Sequence, residues 1–225
     1  MTTAHPSSQD PGLLLAEVEH PHEQALAVLD DPAQNSLAAV TWAAAHLAAV
    51  EKVLHPLACR TLPDGRDRVR AQVAVDHRLQ LVLWQLDRRL TGDVHLQNVP
   101  VQSLEDGVRR ALQAHALREH AMVEALREVL PPEQQQDLVD RLAKALMQGP
   151  TRPHPDTRHG RFAGGVAFWF DGVVDRLRDS MDSRSVPTPH RTPVPRPVTR
   201  WGAYALGAPW DRPATRGRAD GAPPS

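Results

Sequence analysis

The chain has 225 residues and is electrically balanced, with 26 Lys plus Arg against 27 Asp plus Glu and a formal net charge of −1, so its overall charge draws it neither to nucleic acid nor to an anionic membrane. Hydrophobic residues make up 41% and aromatics 4%, which leaves Leu, Val and Ala to build the core and favours helices over a β-sandwich. One cysteine, Cys59, excludes an internal disulfide and a cysteine-rich zinc site.

No run of about 18–20 apolar residues stands out as a bilayer span, and Met1 to Pro11 has neither a basic nor an apolar stretch, so the expectation is a cytoplasmic protein without a transmembrane segment. The first helical stretch is Gly12 to Leu29, rich in Leu and Ala but expected to break at Pro21, where proline removes a donor and clashes with the preceding turn. The second runs from Ser36 to Ala58, with Asn35 or Ser36 as N-cap and a stripe of Leu37, Val40, Ala44, Leu47, Leu54 and Ala58. It ends at the turn signal Leu62-Pro63-Asp64-Gly65. The third runs from about Asp67 to Leu90, with Leu79, Leu83, Leu86 and Leu90 on one stripe.

Ser103, followed by Glu105 and Asp106, reads as the cap of a fourth helix that continues to Leu130. Its stripe is Val108, Leu112, His115, Glu119, Met122, Leu126 and Val129. Pro131-Pro132 ends it, and Glu133 to Met147 forms a shorter helix that stops at Gly149-Pro150. A last amphipathic helix is expected from Phe162 to Met181. Nine prolines and seven arginines against two aspartates in residues 184–225 predict a disordered basic tail, in which Trp201 and Trp210 could hold a protein partner.

The expected organisation is therefore a partly helical segment at 1–35, an all-α up-and-down bundle at 36–148, a linker and a helix packed on the bundle at 149–183, and the tail at 184–225. Within that frame the chemistry concentrates where polar residues replace apolar ones. His115 and Glu119, four apart, share one face of the fourth helix between Leu112 and Met122. Burying an unpaired carboxylate costs several kcal/mol, so either a structural hydrogen bond or a metal must compensate, imidazole and carboxylate one turn apart being a pair that bundles use for iron, manganese or zinc.

Two other helices offer similar groups. Glu51 falls on the stripe of the second helix with His46 on its flank, and Asp76 precedes Leu79 on the third, beside His77, so one of Asp76 and His77 can turn inward. Other chemistries lack a pattern: there is no Gly-x-Gly-x-x-Gly, no phosphate loop and no His-Glu-x-x-His. Cys59, one turn from His55, reads as packing, and the chain reads as a binding protein more than as an enzyme.

The stretches Thr41-Trp-Ala-Ala-Ala-His46-Leu-Ala-Ala-Val-Glu51-Lys-Val-Leu-His55-Pro56 and His115-Ala-Leu-Arg-Glu119-His120, the latter followed by Leu126 and Leu130-Pro131, resemble the hemerythrin-like, HHE cation-binding proteins, and Pro150-Thr-Arg-Pro-His154-Pro155 looks like the segment after the bundle in many actinobacterial members. The resemblance covers roughly residues 36–182. It implies an up-and-down four-helix bundle around non-haem iron, mono- or dinuclear, that binds or senses oxygen, nitric oxide or iron, with His46, His115 and Glu119 matching the family's ligands; with Glu51 and His77 from the helix pattern, the candidate metal ligands are His46, Glu51, His77, His115 and Glu119.

Departures from the family pattern are that Val50 stands in place of a bridging glutamate, His120 replaces a second glutamate, and the first stretch offers only His20 and His22 around Pro21. The alternative reading is a metal-free bundle that serves as a protein-interaction module through its C-terminal helix and tail.

Overall fold

A computed structural model describes residues 12–153 together with 189 and 190. The expected helix at Phe162 to Met181 and the expected disordered tail at 184–225 lie outside the described residues, apart from Pro189 and His190. The described residues are all-α, with five helices and no strand: α1 Leu13–Asp30, α2 Leu37–Thr61, α3 Gly65–Leu90, α4 Val101–Val129 and α5 Pro132–Gln148, plus a 3-10 turn Val94–Leu96. Helix α2 is continuous but contains a π turn, Val50–Leu54, between Leu37–Ala49 and His55–Thr61.

The break expected at Pro21 does not occur; α1 passes through it. An internal proline costs about 3 kcal/mol. Leu14, Val18, Val28 and Leu29 are buried on both sides of it, each side chain contributing about 1.5–3 kcal/mol, so packing outweighs the lost hydrogen bond. At the start of α2 it is Asn35 whose side chain accepts from the Leu37 amide, at 3.0 Å. Helix α4 begins two residues before the expected Ser103 cap, on Pro100 in extended conformation.

Its stripe is as expected down to Leu126, but Val129 is 50% exposed and Leu130 takes its place in the core. The helix ends at Val129, and extended φ/ψ at Leu130 turns that side chain inward.

In sequence α1 packs on α2, α2 on α3 and α3 on α4, while α4 returns to α1, so α1 is part of the packed body and α5 lies across α1 and α2. Short connections make such neighbours antiparallel, and the contacts agree: the α4 residue Arg109 meets Asp30 at the end of α1 (3.1 Å), whereas His120 meets Glu19 one turn before its middle (3.1 Å). By length and composition α2 could cross a membrane, with mean hydropathy 1.4 over 18 residues, but 67% of that window is buried inside the protein. Its alanines raise hydropathy and also let neighbouring helices approach on more than one face.

The α2–α3 corner closes on Gly65, where a Cβ would stand 2.0 Å from the carbonyl oxygen of Ala58. Because backbone must move to admit it, Gly65→Ala is expected to lower the free energy of unfolding by about 1–3 kcal/mol in a urea titration of the metal-free protein. An unchanged midpoint would show that this corner opens freely.

The core has two apolar clusters. One joins Leu14 and Val18 to Val50, Leu54, Met122, Leu126 and Leu138; the other joins Ala25 and Val28 to Leu47, Leu79, Leu83 and Leu112. Between Val18 and Ala25 on α1 lies His22, and between Leu112 and Met122 on α4 lie His115 and Glu119. A buried polar layer thus separates the two clusters.

Candidate metal centre

Three helices supply this layer: α1 gives His22, α2 gives His46, and α4 gives His115 and Glu119 one turn apart. All four side chains are buried, His115 and Glu119 completely. The Glu119 Oε2 atom is 2.9 Å from His46 Nε2, 3.1 Å from His22 Nε2 and 3.2 Å from His115 Nε2. One donor atom from each residue lies within 4.8 Å of all the others. The imidazole planes are close to mutually perpendicular, at 81°, 83° and 88°, so three rings crowd one oxygen without stacking.

Hydrogen bonds do not satisfy this group. His46 pairs with Glu119 Oε2, but His22 Nε2, His115 Nε2 and Glu119 Oε1 are buried without a hydrogen-bond partner, His22 and His115 being near the carboxylate but misaligned. Each such group costs about 1–3 kcal/mol. Donor atoms left unsatisfied and directed at one another are what a cation resolves. Three imidazole nitrogens and one carboxylate oxygen form a donor set that suits zinc or iron.

Behind His115 stands a second tier from α3. Asp76 Oδ1 accepts from His115 Nδ1–H at 2.7 Å, and Gln72 Nε2 donates to the same oxygen at 2.8 Å. With its proton on Nδ1, the neutral His115 ring keeps the Nε2 lone pair for a ligand bond, the familiar way a carboxylate fixes a metal-binding imidazole. His55 Nε2, from just after the π turn, lies 3.5 Å from Asp76 Oδ2.

Electrostatics follow from burial and these partners. Burial, then the charge of His46, pushes His22 down to about 4, against a smaller opposing pull from Glu119. Burial also pulls His115 down, but the nearby Glu119 charge and the hydrogen bond to Asp76 outweigh it and raise this imidazole to about 10. Burial pushes Glu119 up, yet the charges of His46 and His115 hold its carboxyl well below the usual carboxylate range. Burial lowers His55, partly offset by Asp76. The field that holds a proton on His115 in the absence of metal is the field that would hold a dication in its place.

Of the residues singled out in the sequence, the structure brings together His46, His115 and Glu119. Glu51 sits half-buried in the π turn, outside the converging group, and His77 is exposed on α3, where its neighbour Asp76 is the residue that turns inward. His22 completes the group and was not among the expected ligands. Its signal was present: Leu14, Val18, His22, Ala25 and Leu29 recur at helical spacing, but only if the helix survives Pro21. Compared with protein-family models, with curated proteins and with solved structures, the chain matches none; it is a helical chain with a buried His22, His46, His115, Glu119 group able to hold a metal ion.

Proposed function

We propose that the chain is a hemerythrin-like cytoplasmic protein that binds non-haem iron and acts in binding or sensing oxygen, nitric oxide or iron. The observation that carries this reading is the convergence of three imidazole Nε2 atoms on Glu119, with two of those nitrogens and one carboxylate oxygen buried without hydrogen bonds. The packing of α1 to α4 in chain order supports an up-and-down four-helix bundle as the frame.

In this reading His22, His46 and His115 offer neutral nitrogen ligands and Glu119 the anionic one. Asp76 and Gln72 hold the back edge of His115, and apolar clusters flank the layer on both sides. Bound iron supplies redox chemistry and affinity for small oxidants. The site's neighbourhood restricts what could follow: a cavity of about 10 Å³ adjoins His46, lined also by Glu17, Val18, Pro21, Ala49, Leu142 and Leu146, with room for about one water-sized molecule.

The test is anaerobic reconstitution with ferrous iron, followed by elemental analysis and electron paramagnetic resonance with and without nitric oxide. Retained iron and a signal that appears only with nitric oxide are expected. Protein that comes through gel filtration free of iron would reject an iron centre here.

A further inference from the structure

Resting on the metal reading above, we infer that this centre holds one divalent cation per chain and not two, with Glu119 contacting the ion and Asp76 supplying the second negative charge from behind His115. Three observations carry this. The first is that a single set of donors converges: His22, His46, His115 and Glu119 fall within 4.8 Å of one another, and no other carboxylate or histidine among the described residues joins them.

The second is what stands one helical turn beyond His46 on the same face of α2, where a carboxylate for a second ion would have to project. Val50 is fully buried in the apolar cluster with Val53, Leu54, Met122 and Leu126. This part of the layer's edge is hydrocarbon, so it offers a second ion nothing to bind. Glu51 is the next residue along, but it is half-buried in the π turn and has contacts of its own, as does Glu17, which lines a small cavity with His46 but is not in the converging group.

The third is geometry and charge around Asp76. Its Oδ1 atom bonds the Nδ1 edge of His115 at 2.7 Å, whereas the ion would sit at the Nε2 edge of the same rigid ring. Asp76 therefore cannot share that ion and acts through His115, as a positioning residue. His55 Nε2 and Gln72 Oε1 are also buried without hydrogen-bond partners near Asp76, and they are the groups a second ion would have to use. Glu119 and Asp76 neutralise one dication. Even with the buried carboxylate of Glu17 counted, which lies outside the converging group, a second dication would leave an uncompensated charge between two apolar clusters, a burial that proteins avoid.

The experiment is metal counting by native mass spectrometry and elemental analysis on the full chain, loaded with zinc or, without oxygen, with ferrous iron, together with zinc affinity measured by competition with a chromophoric chelator. One ion per chain is expected for either metal. Two ions per chain would overturn the inference while leaving the metal reading intact; none would overturn both. Asp76→Asn keeps an acceptor for His115 but removes the charge, and should weaken zinc about 10–100-fold with the count still one, while Asp76→Glu, which restores the charge, should recover most of the affinity. An Asp76→Asn protein that folds by circular dichroism and binds zinc as tightly as wild type would overturn the role given to Asp76. If it does not fold, weak binding by a folded Asp76→Glu protein would do the same, and the wild-type count decides the nuclearity in any case.

Discussion

Glu119→Gln is expected to weaken metal binding by more than the roughly 10–100-fold that loss of an outer-sphere partner costs, because the substitution removes the sole anionic donor while keeping shape. Glutamine still presents an oxygen at the place where His46 Nε2 pairs with the carboxylate at 2.9 Å. What it lacks is the charge that faces His22, His46 and His115 from 3.1, 2.9 and 3.2 Å. Metal-free Glu119→Gln should also unfold more easily, by about 1.5–3 kcal/mol, the range for hydrogen bonds to charged groups. Zinc competition and urea titration in the presence of chelator measure the two effects separately. Wild-type zinc affinity in the variant would mean that Glu119 is a structural partner of the histidines and no ligand.

Chelation of the loaded wild type should produce the second large effect. A metal present at about a thousand times its dissociation constant stabilises the fold by about 4 kcal/mol, and for a chain of this size each kcal/mol moves Tm by about 2–4 °C, so removing it should lower Tm by about 8–16 °C. His115→Leu should not respond to chelator. Its metal-free stability is the more telling number, since from the stripe alone leucine would add about 1.5–3 kcal/mol of apolar burial. The structure reverses that sign: leucine takes from Asp76 the partner at 2.7 Å and leaves two buried carboxylates short of a cation, which costs about 3–5 kcal/mol. Metal-free His115→Leu is therefore expected to melt below metal-free wild type. Calorimetry of both proteins with and without chelator checks this, and a variant that melts higher would show that the Asp76 contact contributes little.

The sequence made the regular parts of this fold readable because burial on a helix leaves a period. Leu79, Leu83 and Leu86, or Val108, Leu112 and Leu126, announce their face, and His115 and Glu119 are conspicuous because they interrupt it. Two kinds of information were not local. Whether Pro21 breaks α1 depends on what both halves of the helix pack against, and with it went His22. Whether Asp76 or His77 turns inward is decided by α4, which offers His115 Nδ1 to a carboxylate. Val129 and Leu130 show the same limit on a smaller scale, since one residue of helix ending exchanges which of them is buried.

The π turn Val50–Leu54 has a bearing on how this chain could change its length. His46 and His55 are nine positions apart, and at about 100° per residue a regular α-helix would point them to opposite sides. A π turn is one residue absorbed into the helix without advancing the faces beyond it, so the angle closes to about 80° and both imidazoles serve the same interior. The absorbed residue is slack. Losing one position between Val50 and Leu54 would regularise the helix and leave His46, His55 and Ala58 facing as they do now, whereas losing one between Leu37 and Ala49 would swing half of the helix by about 100° and carry its buried alanines out of register with α1 and α3.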